Sequence, residues 1–285
     1  MNPPTHALVT TAWLGERLAD PTIRILDGSW YLPQENRDAK AEFATARIPG
    51  ARFFDIDAIA DKTTTLPHML PTPEYFAAVV TALGINNDHT VVCYDGHGLF
   101  SAARVWWEFR AFGHDKVVVL DGGFRKWRTE DRPLETAPFA PPKPAAPPFV
   151  ATFEGRWVRS LEDIRSNLAS RREQFVDARS AARFKAEMPE PRPGIRAGHV
   201  PGSHNVPYPQ LVDPATGTLI PLAAIERAFK AAGVDLTRPI VTSCGSGIVA
   251  TVLALGLHLL GHRDNAVYDG SWTEWGSRPD TPIET

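Results

Sequence analysis

A chain of 285 residues exceeds one typical domain, and two domains of similar size are expected. With 43% hydrophobic and 22% charged residues it has an ordinary globular composition, and a formal net charge of -3 offers no basic field for nucleic acid. The longest apolar run, Ile248 to Leu260, is 13 residues, short of the ~18–20 that cross a bilayer, so no membrane partner is expected.

The N-terminal stretch MNPPTHALVTTAWLG has neither a basic leader nor an arginine-rich amphipathic pattern, so no targeting signal is expected. Two cysteines, Cys93 and Cys244, cannot build a disulfide framework or a cysteine-rich metal site. A reducing cytoplasm is the expected compartment.

Taken in order, the chain repeats itself. The first half reads IRILDGSW at 23–30, ARIPGARFFDI at 46–56, VVCYDG at 91–96, a helix over about Ala102–Phe112, and VVVLDGGFRKW at 117–127. The second half reads QFVDARS at 174–180, GHVPGSHNVP at 198–207, IVTSCG at 240–245, a helix over about Ala250–Leu260, and NAVYDGSWTEW at 265–275. Asp27 pairs with Asp177, Ile48 with Val200, Asp121 with Asp269 and Trp127 with Trp275, at offsets of 148 to 152. Two copies of one unit are therefore expected. Short β-branched runs alternating with longer helical segments predict an α/β fold, each copy a parallel sheet with helices on both faces. Between the copies, Arg132 to Phe149 carries seven prolines, which forbid helix and sheet ladder and favour an extended tether.

The chemistry concentrates at Cys244. Ile240 and Val241 predict a strand, Gly245, Ser246 and Gly247 a tight loop, and the apolar run beyond them a buried helix. Small loop residues let several N–H groups turn inward at the sulfur, and the positive end of the helix dipole points the same way. Such surroundings lower a thiol from its usual ~8.5 and make a nucleophile. Aligning VVCYD with IVTSC puts Asp95 at the position of Cys244, so the first loop is expected to be chemically dead. That loop is also one residue longer, measured to the histidine that follows each helix, His114 or His262. Cys93 falls inside the predicted strand and is expected to be packed, as is His258 in the second helix.

The motifs ARIPGARFFDID, FSAARVWWEFRAFGH, VLDGG, VDARSAARF, PEPRPG, GHVPGS, CGSG and YDGSW, in that order, resemble those of the tandem-domain rhodanese-like sulfurtransferases. The resemblance covers roughly Leu8 to Trp275. It implies an inactive first domain (1–131), a linker (132–149) and a catalytic second domain (150–285). It further implies transfer of sulfur from 3-mercaptopyruvate, through a Cys244 persulfide, to a thiol such as thioredoxin or a small thiol, or to cyanide. No metal or organic cofactor is expected. Gly245, Gly247, Ile248 and Val249 would form the loop around the substrate, and Arg183 and Arg192 would hold its carboxylate and carbonyl, for which arginine's planar fork is suited. Ser246, with Asp57 and His68, matches a proton relay.

Gly245 and Ser246 follow the cysteine where thiosulfate-preferring members carry cations, which favours mercaptopyruvate. Val249 stands where the family usually has threonine; the lost hydroxyl is expected to weaken activity without abolishing it. Thiosulfate transfer and a non-catalytic rhodanese-like binding module remain the alternatives. Cysteine phosphatase chemistry needs an arginine six residues after the cysteine, where this chain has Ala250.

Overall fold

A computed structural model describes residues 7–285; the residues before Ala7, and with them the expected start of the first domain, lie outside it. Two five-stranded sheets, both parallel throughout, form the framework. The first contains β1 (Leu8–Val9), β2 (Ile23–Asp27), β3 (Arg52–Phe53), β4 (Thr90–Tyr94) and β5 (Val117–Leu120), in the order β1-β5-β4-β2-β3. The second contains β6 (Val158–Arg159), β7 (Gln174–Asp177), β8 (His204–Asn205), β9 (Ile240–Ser243) and β10 (Asn265–Tyr268), in the order β6-β10-β9-β7-β8. The sequence repeat is thus a repeat of topology.

The central strands β4 and β9 are buried along their whole length, as strands covered on both faces must be. Each runs through a loop into a buried helix, Ala102–Ala111 or Ala250–Leu259, in which nine of ten residues are buried. Parallel strands carry such loops at their carboxyl ends, where open α/β sheets place their sites. Cys93 lies in β4 with no exposure, and burial pushes its thiol well above the ordinary value, as suits a packed cysteine. His258 is buried against the Trp157 ring, 5.9 Å between centroids.

Chain connectivity and packing do not coincide everywhere. One compact unit holds the described residues to Asp61, Pro71–Glu154 and Pro214–Leu219; the other holds Lys62–Leu70, Gly155–Asp213 and Ile220–Thr285. Each unit therefore takes in one short segment from a distant part of the chain. The anchor is the same in both. Asp121, at the end of β5, accepts the Leu219 N–H at 2.8 Å, and its repeat partner Asp269, at the end of β10, accepts the Leu70 N–H at 2.8 Å. The proline-rich stretch is also fastened rather than free. Glu135 bridges Arg47 through backbone bonds in both directions, Ala145 and Phe149 donate to Thr81, and the Phe149 ring is buried beside Phe76 and Phe109. Its non-proline residues supply the donors that proline lacks.

The repeat has diverged at one buried carboxyl. Asp177 is gripped by the Arg179 guanidinium at 2.6–3.1 Å, whereas its counterpart Asp27 faces Ser29, which donates both N–H and hydroxyl to it. Burial pushes Asp27 up from 3.8 to about 6, against the pull of the Ser29 bonds. Its favourable contribution is complete below the unfolded value near 3.8 and is lost as pH rises through about 6. Asp27→Asn should therefore gain stability over the parent between pH 4 and pH 7, by up to ~3 kcal/mol. Denaturant melts at the two pH values check this; an equal difference at both would mean that Asp27 titrates normally.

Candidate active site

At the end of β9 the chain turns through Cys244, Gly245, Ser246, Gly247, Ile248 and Val249 before the helix Ala250–Leu259 begins. Cys244 is 2% exposed and its thiol is free. Gly247 has φ +81°, a conformation that a side chain would strain, and it lets the loop close over itself. The loop carbonyls are tied outward. Cys244 O accepts from Trp272 N–H at 3.0 Å, and Gly245 O accepts from the N–H and the hydroxyl of Thr273 at 2.9 and 2.6 Å. The Cys244 N–H donates to Ser271 Oγ at 3.3 Å, and that hydroxyl donates to Tyr268 O at 2.9 Å. Ser271 adopts φ +51°, rare for a residue with a side chain, in serving this brace.

What such a loop does with its amides is seen directly in the first unit. There the Asp95 carboxylate, fully buried, accepts the N–H groups of His97, Gly98, Phe100 and Ala102, each at 2.8–2.9 Å. The cradle binds one negative charge, and in this unit the chain itself supplies it. Measured from the two ends of the loops, the equivalent amides in the second unit belong to Ser246, Gly247, Ile248 and Ala250.

Arg183 sits at the edge of the second loop. A Cβ added to Gly245 would lie 3.1 Å from its Nη2, so glycine there is what lets the guanidinium approach the backbone after Cys244. Arg183 projects from the short helix Ala181–Phe184, which follows β7 and is capped by Ser180. Its position is set by Glu190, a carboxylate with 3% exposure, which accepts from Nε at 3.2 Å and from Nη2 at 2.5 Å. Glu190 also accepts from Arg179 Nη1 at 2.8 Å. Arg179, itself held by Asp177, stacks on the Trp272 ring at 4.3 Å. A continuous chain of charge-assisted bonds therefore runs from β7 to Arg183, at the edge of the Cys244 loop. Sequence reasoning missed Glu190, Arg179 and Ser271, although all three stand in motifs it singled out: PEPRPG, VDARS and YDGSW.

The remaining candidates are less tightly described by their contacts. Arg192 is half-buried two residues beyond Glu190. Ser246 is buried in the loop, and Val249 stands at the helix start with no side-chain capping bond. Asp57 is exposed in the first unit and accepts the Trp30 indole N–H at 2.9 Å. His68 was expected to belong with the first domain; by packing it belongs with the second unit, because the Lys62–Leu70 segment is anchored on Asp269. It is 4% exposed, with φ +62°. Its counterpart in the first unit is Gly217, at φ +72°, which packs against Gly98; a Cβ on Gly98 would lie 2.8 Å from Gly217 Cα.

Comparison with known proteins agrees with this geometry. The rhodanese-like domain model matches residues 10–130 and again 160–278. The 3-mercaptopyruvate sulfurtransferase of Rattus norvegicus is 46% identical over 279 residues, 96% of this chain and 93% of that protein. The mitochondrial thiosulfate/3-mercaptopyruvate sulfurtransferase 1 of Arabidopsis thaliana is also 46% identical, over 99% of this chain and 79% of its own. Among solved structures, SseA from Escherichia coli, described as a 3-mercaptopyruvate sulfotransferase with the rhodanese fold, superposes with a TM-score of 0.85 at 40% identity, covering 94% of this chain and 99% of that one.

If Glu190 positions Arg183, Glu190→Gln should raise KM for a carboxylate substrate about tenfold, the worth of one charge-assisted bond, while kcat changes far less. Steady-state kinetics separate the two parameters. A fall in kcat at constant KM would assign Glu190 to something other than holding the arginine.

Proposed function

The chain belongs to the rhodanese-like sulfurtransferase family, and from that premise we propose that it carries the sulfur of 3-mercaptopyruvate on Cys244 to a thiol or cyanide acceptor. The donor is supported by likeness over nearly the whole chain to enzymes named for it, and by a loop in which Gly245 and Ser246 add no cation beside the cysteine. The single observation that supports the mechanism is the anion cradle that holds the Asp95 carboxylate in the first copy, at the position that Cys244 occupies in the second.

In the first step the Cys244 thiolate attacks the thiol sulfur of the donor. The sulfur–sulfur bond forms as the carbon–sulfur bond breaks, and the electron pair leaves as the enolate of pyruvate, which takes up one proton. Arg183 and Arg192 hold the carboxylate and carbonyl and stabilise the enolate charge. In the second step an acceptor thiolate, or cyanide, attacks the outer sulfur and returns the Cys244 thiolate. Asp95 is instructive here. Its oxygens stand one bond farther from the backbone than a cysteine Sγ, where the outer sulfur of a persulfide would be, so the amides of Ser246, Gly247, Ile248 and Ala250 suit the charged intermediate. Residues 1–131 form the inactive domain in this reading, 132–149 the connection, and 150–285 the catalytic domain.

In this reading Ser246 and His68 supply the proton. Support for His68 comes from the repeat. Gly217 packs against Gly98 of the first loop, and by that correspondence His68 would face Gly247 of the second. A left-handed backbone costs a histidine energy that the glycine at its counterpart avoids, a cost that marks functional positions. The acceptor is a thiol protein such as thioredoxin or a small thiol. Two free cysteines suit a reducing compartment, the cytoplasm. A second reading, thiosulfate as donor, is favoured by the Arg183 guanidinium beside Gly245, a cation that also suits a sulfonate.

Incubation with 3-mercaptopyruvate should add one sulfur atom, ~32 Da, to Cys244 and release pyruvate, and Cys244→Ser should abolish both; no mass gain on that residue rejects the mechanism. The ratio of kcat/KM for the two donors decides between them, 3-mercaptopyruvate being favoured at least tenfold. His68→Asn, which tolerates the same backbone, should lower kcat more than tenfold and leave stability within ~1 kcal/mol; an unchanged kcat would remove His68 from the relay.

A further inference from the structure

The first unit keeps half of a binding site that sulfur transfer does not use. Beside Gly96, the residue after Asp95, lies a cavity of about 790 Å³, within the size range of small-molecule sites. All its lining residues belong to the first unit. Gly96 is the counterpart of Gly245, and the resemblance extends to the arginine above it. A Cβ on Gly96 would meet the Tyr31 hydroxyl first and lie 3.5 Å from Arg37 Nη2 behind it, whereas one on Gly245 would meet Arg183 Nη2 directly at 3.1 Å. Each arginine is steered by one glutamate: Glu42 accepts from Arg37 Nε and Nη2 at 2.8 and 2.6 Å. Arg37 is further fixed by stacking 3.7 Å over the Tyr31 ring and donating to its hydroxyl at 2.7 Å. The nucleophile has gone from this copy, but the oriented guanidinium has stayed.

Two more arginines face the same space from the helix Gly123–Thr129. Arg125 is fixed by a bond from Nη2 to Ala215 O at 2.8 Å, and Arg128 lies 5.9 Å from the Phe124 ring centroid. Neither forms an ion pair with a carboxylate among the described residues. The lining carboxylates are Glu42, spent on Arg37 and Tyr31, and Asp38, which accepts the Ala41 N–H at its helix start. Three guanidinium groups against two engaged carboxylates leave the cavity cationic. Asp95 does not oppose this, because its charge is fully buried and taken up by four amides.

We propose that this cavity binds a small organic polyanion, one carrying two or more negative charges as carboxylates or as a phosphate ester, through Arg37, Arg125 and Arg128. Phe124 supplies the apolar wall. No sulfur moves there, since the residue under the cavity is a carboxylate.

Calorimetric titration of the full chain at low salt, with citrate and with glycerol 3-phosphate as probes, tests this. At least one probe should bind once per chain, at least tenfold more tightly than acetate. Binding should survive in the Arg183→Ala/Arg192→Ala chain, which lacks the sulfur-donor clamp, and weaken at least tenfold in Arg125→Ala/Arg128→Ala. The latter chain should retain its sulfur transfer from 3-mercaptopyruvate, showing that its fold is intact. Absence of binding by both probes, binding lost in the Arg183→Ala/Arg192→Ala chain, or binding unchanged in Arg125→Ala/Arg128→Ala would each overturn the proposal. Loss of sulfur transfer in the parent chain would count against the activity and leave this result readable.

Discussion

A buried negative charge held by backbone amides at the end of a central parallel strand is the interaction around which the first half of this molecule is built. In the first half the charge is the Asp95 carboxylate, bound by four N–H groups from the loop and the first turn of the helix. Buried amides need acceptors, so an anion there completes the structure and does not disturb it. The second half has a thiol at the same point. The same turn carries a carboxylate in one copy and a thiol in the other.

Around that centre the two copies have parted in their charged neighbours. Asp177 has Arg179, and through it Glu190 and Arg183, so a rigid ionic chain ends at Gly245. Asp27 has Ser29 in place of the guanidinium, and its carboxyl is pushed up to about 6 by burial. Losing one arginine cost the first copy a fixed charge in its interior. Arg37 reaches the loop glycine instead from the other side of Tyr31, braced by an exposed glutamate. In each copy a glutamate-steered arginine stands near the loop glycine, whichever residue precedes that glycine.

The reciprocal segments show a further use of the repeat. Asp121 and Asp269 occupy one position in two copies, and each captures a backbone N–H from a segment remote in the chain. One captured segment places Gly217 against the first loop, and the other brings His68 into the second unit. A glycine at the left-handed position closes a silent loop without strain. A histidine at the corresponding position of the second unit accepts that strain.

Much of this was legible in the residues themselves. β-branched runs, the 148–152 offset and the glycines around Cys244 specified two parallel-sheet units and the loop that joins each central strand to its helix, because strand pattern, turn chemistry and repeat are local properties of the chain. Motif resemblance likewise singled out Arg183. What only the tertiary structure decided lies in contacts between positions far apart in sequence. Glu190 steering Arg183, Ser271 bracing the Cys244 amide, the exchange of segments that moves His68 to the second unit, and the fastening of the proline-rich stretch along Thr81 and Arg47 leave no periodic trace. A buried carboxylate reads the same in a sequence whether its partner is an arginine, a hydroxyl or four amides, and here the choice of partner determined what each copy does.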